Sequence, residues 1–348
     1  MKGYKTIATP PGVTIREQLE DRGMSQKEFA ARMDMTEKHI SRLINGEVRL
    51  TPEVALRLEY VLGVPAQFWN NLEARYREKC ARVEEEKAFE EDAELSRRFP
   101  YKEMSDLGWI EATRLIDERV RNLRAFFEVA SLGTLENLKI PGIAYRRTDA
   151  KSANNYALAA WSQKARLEAR RQEVSSINIE KLAESVSLIR KMTRQTPDEF
   201  FNRLVSMLAD CGVALVLLPH MKSSFLHGAT FYDGKKIVMG LTVRGRDADR
   251  FWFSLFHEIG HILDGHINKS CGPDAEDEKE ADTFSAETLI PSKAMDDFFC
   301  GKHIDEMTIC SFADEIEIDK GIVVGRLQKN NVIGFDRFNQ LKTHYVLG

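Results

Sequence analysis

Two histidines and a glutamate in the second half of the chain have the spacing that metal-dependent hydrolysis requires. The segment reads His257-Glu258-Ile259-Gly260-His261. Histidines four residues apart on a helix lie on one face, so both imidazoles can bind one metal ion, with Glu258 beside it as a general base. Gly260 leaves room there for a metal, a substrate or another helix.

The surrounding sequence predicts that this segment is a helix with one buried face. Apolar residues recur at helical spacing, and the two histidines fall on the neighbouring face. This context argues against a chance occurrence of the five-residue pattern. The apolar positions are Trp252, Leu255, Phe256, Ile259, Ile262 and Leu263.

A third ligand must come from elsewhere in the chain, because catalytic zinc uses three protein ligands and keeps one position open for water. In a following acidic segment, Glu278 comes 17 residues after His261, which is enough for a loop and a returning helix. We take Glu278 as the third ligand. Glu276 and Glu280 are the competing carboxylates, and Cys271 is a weaker rival.

Two neighbours of these ligands are given different roles. Asp282 lies one turn beyond Glu278, and we expect it to accept a hydrogen bond from a ligand histidine and fix its tautomer. Glu276 and Asp277 are interpreted as a solvated helix N-terminus, which the helix dipole favours. His266 is interpreted as a surface residue, because it is out of step with the third histidine of an HExxHxxGxxH motif.

The group that would stabilise a tetrahedral oxyanion is not fixed by the sequence. Four side chains remain open for this role, and each has a structural alternative. They are His220, His227, Tyr232 and Tyr345.

From about Gly212 to Pro291 the chain resembles the ImmA/IrrE-type metallopeptidases. Ser285 is a mild departure, since the family often has alanine at this position. The matching segments are residues 228–231, 236–241, 244, 251–263, 278–285 and 289–291.

The resemblance implies a zinc ion, intracellular action and cleavage of regulatory proteins. It carries His257 and His261 over as ligands, Glu258 as the general base and Glu278 as the third ligand. Zinc in such a site would activate water and polarise a peptide carbonyl, while Glu258 takes the proton and passes it to the leaving amine.

A second motif lies near the N-terminus. Ser25 precedes a predicted helix, with Glu28 three residues on as in a capping box. After a short turn, Thr36 precedes another predicted helix, which ends at Asn45-Gly46. Two helices joined in this way predict a helix-turn-helix. Its expected shared core is Phe29, Ala30, Met33, Met35, Ile40 and Leu43.

In a helix-turn-helix the second helix enters the major groove of DNA. Lys38 and Arg42 could bind guanine or phosphate there, and Gln26 is placed to contact the DNA backbone. The residues predicted to contact DNA are Gln26, Thr36, Glu37, Lys38, Ser41 and Arg42.

The segment from Thr14 to Trp69 resembles the XRE-family DNA-binding domain of HigA-type antitoxins. We expect it to bind a double-stranded operator as a homodimer, because one recognition helix covers too little DNA for tight, specific binding. The net charge of −4 predicts no strong nonspecific attraction to DNA. A helical bundle used only for protein association is the alternative.

Composition is that of a globular protein. A length of 348 residues allows two or three domains. No apolar run is long enough to span a bilayer, and no hydrophobic stretch that would make a signal peptide follows the first residues. The five cysteines are scattered without CxxC spacing, as suits a reducing cytoplasm. We therefore expect a cytoplasmic protein with no membrane partner.

The predicted fold class is α+β and mainly helical. It comprises a lambda-repressor-like helix-turn-helix domain at residues 1–78, a helical linker and middle region at 79–195, and a zincin-like peptidase domain with a small β-sheet and a C-terminal helical cap at 196–348. Helices are predicted at 73–98, 110–130, 153–172 and 179–192, and strands at 212–218, 228–232 and 237–241, with a hairpin turn at Asp233-Gly234.

Together the two motifs predict a DNA-binding regulator fused to a zinc metallopeptidase, with an operator and a protein substrate as partners. One alternative is an antitoxin or repressor that sequesters a partner such as a toxin without proteolytic turnover. A second is a peptidase whose N-terminal domain only recruits protein.

Overall fold

A computed structural model of the protein describes residues 8–136, 153–221, 228–243, 247–269, 273–299 and 304–345. The loop predicted around residues 140–142 lies outside these ranges. The chain forms two compact units, residues 1–92 and 93–348. The three predicted domain ranges, 1–78, 79–195 and 196–348, stay a prediction.

The first unit is helical, and its capping follows the sequence. Ser25 Oγ accepts a hydrogen bond from the Glu28 amide at 3.2 Å, and Thr36 Oγ1 accepts one from the His39 amide at 3.2 Å. Both predicted N-caps are therefore confirmed. The helices that begin in this unit are α1 (Pro11–Asp21), α2 (Gln26–Arg32), α3 (Glu37–Ile44), α4 (Pro52–Leu62) and α5 (Ala66–Ser96), the last of which continues past residue 92.

The turn between α2 and α3 is held by an arginine on α4. Asp34 has a φ of 52°, the left-handed conformation that reverses the chain after α2. Arg57 Nη1 donates to the carbonyls of Met33 at 2.8 Å and Asp34 at 2.9 Å. Phe29 and Ile40 are fully buried beneath this turn. The two helices of the motif are thus fixed relative to each other.

The second unit contains ten further helices among its described residues and one small sheet, so the mainly helical α+β prediction is confirmed. Its elements are α6 (Tyr101–Asp106), α7 (Ile116–Phe127), α8 (Ala153–Arg170), α9 (Ile179–Lys191), α10 (Pro197–Ala209), β1 (Val213–Pro219), β2 (Gly228–Asp233), β3 (Lys236–Val243), α11 (Ala248–Leu263), α12 (Ala275–Leu289), α13 (Ser292–Phe299), α14 (Glu306–Glu315) and α15 (Lys320–Lys329).

The helix predicted at residues 110–130 is shorter in the structure. It begins only at Ile116, because the preceding residues form a turn instead of a helical start. In that turn Thr113 Oγ1 accepts a hydrogen bond from the Leu115 amide at 3.1 Å. A threonine side chain that bonds to the backbone in this way competes with the helix.

The sheet has the strand order β1-β3-β2. Strand β1 pairs with β3 in parallel, and β2 pairs with β3 in an antiparallel hairpin. Gly234 has a φ of 63° in the turn that follows Asp233, as the predicted hairpin requires. All three predicted strands are confirmed.

Helices pack on both faces of the sheet. Met239 on one face belongs to the same buried core as Trp252 and Phe256 of α11. Val238 on the other face shares a core with Trp161 of α8. The middle-region helix α8 therefore forms one of the two layers that hold the sheet against α11.

Any side chain added at Gly240 of β3 should destabilise the fold. A Cβ at this position would lie 2.5 Å from Trp161 Cη2 and 3.3 Å from Ala165 Cβ. Overpacking of this kind costs about 1–3 kcal/mol. We expect Gly240→Ala to lower the free energy of unfolding by that amount in urea denaturation of the full chain. The control is Gly133→Ala, whose added Cβ meets nothing closer than Ser131 Oγ at 3.6 Å. Equal stability of the two variants would contradict this packing.

Candidate metal centre and DNA-contacting helix

Helices α11 and α12 bring together the three predicted metal ligands. The Nε2 atoms of His257 and His261 lie 3.1 Å apart. Glu278 of α12 places Oε2 3.4 Å from His257 Nε2 and Oε1 3.8 Å from His261 Nε2. One ligand atom from each residue lies within 4.8 Å of the other two.

This arrangement fits a zinc ion in both chemistry and size. Two imidazoles and a carboxylate are a donor set that zinc uses in hydrolytic sites. A tetrahedron with zinc–ligand bonds of 2.0–2.2 Å has edges of about 3.3–3.6 Å. The Nε2–Nε2 separation is 3.1 Å, and the two Nε2–carboxylate separations, each to a different oxygen of Glu278, are 3.4 Å and 3.8 Å. The competing carboxylates, Glu276 and Glu280, are not in this group. The rival Cys271 lies outside the described residues.

Asp282 takes the position that its spacing predicted. Its Oδ1 lies 2.9 Å from His257 Nδ1, on the side of the ring away from the other ligands. Lys329 of α15 donates to Asp282 Oδ2 at 3.4 Å, and its ammonium lies 3.9 Å from the centre of the Phe253 ring. Helix α15 thus helps to orient His257 through Asp282.

Glu258 is buried beside the ligand pair, with 5% of its surface exposed. Thr230 on β2 donates its hydroxyl to Glu258 Oε2 at 2.5 Å. At Gly228, the first residue of β2, an added Cβ would lie 2.5 Å from Glu258 Oε1. The Thr230 hydroxyl therefore holds the carboxylate in this position, and a side chain at residue 228 would displace it.

Burial and charge separate the pKa values of the three motif residues. Burial raises the pKa of Glu258 to about 7. Burial lowers the pKa of His261, with help from the neighbouring His257, to about 4. For His257 burial acts in the same direction, but hydrogen bonds with Asp282 and Glu278 outweigh it and raise its pKa to about 10. A base with a pKa near neutrality is suited to proton transfer.

Two sequence interpretations near this centre are wrong. His266 is buried, with only 4% of its surface exposed, although it was expected at the surface. Gly265, with a φ of 73°, reverses the chain after α11 and turns His266 back toward His261. Asp277 is also buried rather than solvated, because it binds Lys269 and the Asp274 amide.

The structure describes some of the candidate oxyanion donors and of the residues that carry the family resemblance. Tyr345 is a poor oxyanion donor, because it is buried in the apolar core, where its hydroxyl lies against Trp252 Nε1 at 2.8 Å. Ser285, the departure from the family pattern, donates to the Phe253 carbonyl at 2.9 Å and so ties α12 to α11. His227 and Arg244 lie outside the described residues. For His220 and Tyr232 the role stays open.

Most of the predicted DNA-contacting side chains, on α3 and at the starts of α2 and α3, face solvent. Gln26, Thr36, Glu37, Lys38 and Arg42 are exposed, and Ser41 is half-buried. Arg42 Nε lies 3.4 Å from Glu47 Oε2 in a solvent-exposed ion pair. Such pairs contribute little to stability, so Arg42 can exchange this partner for DNA.

Three residues near this centre were not assigned their contacts from the sequence. Thr230 is one of several strand residues that face a buried helix. His266 does not fit the third-histidine motif, and Lys329 is one of many lysines. Only the fold shows which of these side chains lie beside the ligand pair.

Within the described part of the chain, no helix combines the length and the apolar character needed to cross a membrane.

Comparisons with known proteins concern the helix-turn-helix. Residues 15–69 match the family model described as Helix-turn-helix. YddM of Escherichia coli K12, an uncharacterised HTH-type transcriptional regulator, is 41% identical over 63 residues, which cover 18% of this chain and 67% of YddM. An addiction module antidote protein of the HigA family from Coxiella burnetii is 28% identical, with a TM-score of 0.23, over 24% of this chain and 94% of that chain.

The chain belongs to the XRE-type helix-turn-helix family. It is a DNA-binding transcriptional regulator, and the segment that defines this membership is residues 15–69.

Proposed function

We propose that this regulator carries a zinc-dependent endopeptidase of zincin-like fold in its second unit, and that it cleaves a regulatory protein. The observation that carries the proposal is the convergence of His257, His261 and Glu278, with one ligand atom of each within 4.8 Å of the others. The buried Glu258 beside them supports hydrolysis rather than a purely structural metal site. The resemblance to ImmA/IrrE-type metallopeptidases agrees with both observations.

In this proposal His257, His261 and Glu278 bind zinc, and Glu258 acts as the general base and then as the general acid. A zinc ion held by these residues would supply Lewis acidity and would lower the pKa of a bound water. Glu258 Oε1 is the oxygen left for the reaction, because Oε2 is held by Thr230. Oε1 accepts the proton of the attacking water and passes it to the leaving amine of the peptide. Asp282 keeps the Nε2 atom of His257 turned toward the ligand group.

The first unit would bring this activity to an operator. We propose that α3 enters the major groove, that the protein binds DNA as a homodimer, and that it acts in the cytoplasm. The exposed positions of Lys38 and Arg42 support the docking of α3.

Zinc affinity should increase with pH through the neutral range. In the metal-free protein the pKa of His257 is about 10, so its imidazole carries a proton that zinc must displace. The loss of one proton on binding makes the affinity rise about ten-fold per pH unit below that pKa. Competition with a chromophoric chelator between pH 7 and 9, corrected for protonation of the chelator, measures this slope. A flat profile would contradict the proton assignment of His257.

The peptidase proposal is tested with a substrate trap. Glu258→Gln, loaded with zinc, is used to retain proteins from cells, and mass spectrometry identifies them. Each retained protein is then incubated with the unmodified protein, with and without a chelator. New amino termini that need zinc and an intact Glu258 are the expected result. A zinc-loaded protein that retains a partner and never cleaves it would instead be a sequestering regulator.

A further inference from the structure

A chain of side-chain contacts extends from His261 away from the metal centre. His261 Nδ1 lies 3.0 Å from Nδ1 of His266. On the other side of that ring, His266 Nε2 lies 3.1 Å from Glu280 Oε2 and 3.4 Å from Asp277 Oδ1. Both histidine side chains are 5% exposed, so protein atoms surround the contact between them, whereas Glu280 lies at the surface with 56% of its side chain exposed.

The proton positions along this chain follow from the metal centre. When Nε2 of a neutral His261 binds a metal, the ring proton is on Nδ1. That N–H can only donate to His266 if Nδ1 of His266 is unprotonated. The proton of His266 is then on Nε2, where two carboxylates can accept it. Each contact therefore has one donor and one acceptor, with both rings neutral.

The far end of the chain is fixed by a lysine and a helix cap. Lys269 Nζ lies 2.7 Å and 2.6 Å from the two carboxylate oxygens of Asp277 and 3.0 Å from Asp274 Oδ2. Asp277 Oδ2 also accepts the Asp274 amide at 2.9 Å at the start of α12. The acceptors of His266 are thus part of the helix that carries Glu278.

We propose that His266 is a positioning residue of the metal centre, which accepts the Nδ1 proton of His261 and holds the Nε2 atom of that ring toward the metal. This rests on the proposed zinc site at His257, His261 and Glu278. His266 is then the hydrogen-bond acceptor for Nδ1 of His261, as Asp282 is for Nδ1 of His257. An acceptor on the outer nitrogen fixes the tautomer and makes the ligand nitrogen more basic.

A second cation site is the competing interpretation of this cluster. His266, Asp277 and Glu280 also place ligand atoms within 4.8 Å of one another. The ammonium of Lys269 is already bound to both oxygens of Asp277. The protein itself therefore supplies the positive charge that a metal ion would bring to these acids.

Zinc binding by two variants of the full chain tests the proposal. His266→Phe keeps a ring but removes the acceptor, and we expect its zinc affinity to be about 10–100-fold weaker. His266→Asn can place its Oδ1 near the position of the lost Nδ1, so it should recover most of that affinity. Competition with a chelator gives the dissociation constants. Cobalt substitution gives a visible spectrum, which should change in His266→Phe and return toward the original in His266→Asn.

The metal-free forms separate positioning from packing. If His266 only filled space, both variants would lower the unfolding midpoint of the metal-free protein without changing zinc affinity, and that result would overturn the proposal. Equal loss of affinity in both variants would overturn it too. Binding of two zinc ions per chain, with one lost in His266→Phe, would favour the second cation site.

Ring-nitrogen NMR of the unmodified, zinc-loaded protein keeps the test independent of folding of the variants. We expect His261 to be protonated on Nδ1 and His266 on Nε2, and the opposite tautomer of His266 would contradict the contact chain. A protein that binds no zinc at all would instead remove the proposed function itself. The two failures are therefore distinguishable.

Discussion

Replacement of Glu258 by glutamine is expected to leave zinc bound and to lower the kcat of peptide cleavage by about 10²–10⁴-fold, the usual contribution of general acid–base catalysis. Glutamine has nearly the same shape and can still contact Thr230, so the centre should keep its structure. What is lost is the carboxylate oxygen that accepts a proton, because an amide is not a base at neutral pH.

The matched control is Glu276→Gln on α12. Glu276 is solvent-exposed and lies outside the ligand group, so this variant makes the same chemical change without touching the site. Its kcat and zinc content should equal those of the unmodified protein. A Glu258→Gln variant that is loaded with zinc and cleaves at the original rate would remove Glu258 from the mechanism.

The second large effect is expected on DNA. Lys38→Ala combined with Arg42→Ala removes the two exposed cations of α3, and affinity for the operator should fall by about 10–100-fold or more, since one good base contact contributes about 1–3 kcal/mol. Neither side chain is part of the buried core, so the unit should stay folded. Fluorescence anisotropy with operator and with random-sequence DNA, at one fixed salt concentration, measures the loss.

A double variant on α5 controls for charge. Lys79→Ala with Arg82→Ala removes the same two charges from exposed positions outside α3 and should affect operator and random DNA little and equally. If the α3 variant weakens both DNAs to the same degree, Lys38 and Arg42 bind phosphates and do not read the sequence. Unchanged operator binding would exclude both residues from the interface.

Local sequence rules predicted the parts of this protein whose structure depends on neighbouring residues. The N-caps Ser25 and Thr36, the hairpin turn at Gly234 and the helical face of His257 and His261 each follow from spacing within a few positions. The choice of Glu278 could not be made from spacing within a few positions, because several acids lie close together in that segment. It was made from the 17 residues that separate Glu278 from His261, and the family resemblance agreed with it. The structure places Glu278 beside the two histidines.

What the sequence could not predict depends on contacts between distant segments. His266 was expected at the surface because motif spacing describes only straight helices, whereas Gly265 ends α11 and turns the chain back. Asp277 was expected in solvent because charge alone does not show that Lys269 lies beside it. The support of β3 by Trp161 of α8 likewise depends on two segments about 80 residues apart in the chain.

In the proposed site one zinc ion is bound jointly by two imidazoles of α11 and a carboxylate of α12. Zinc analysis and X-ray absorption of the purified full chain, compared with Glu278→Ala, test it most directly. We predict one zinc per chain with two imidazole nitrogens and a carboxylate oxygen, and loss of that oxygen together with weaker binding in the variant. Absence of stoichiometric zinc, or a coordination sphere that Glu278→Ala leaves unchanged, would contradict the account.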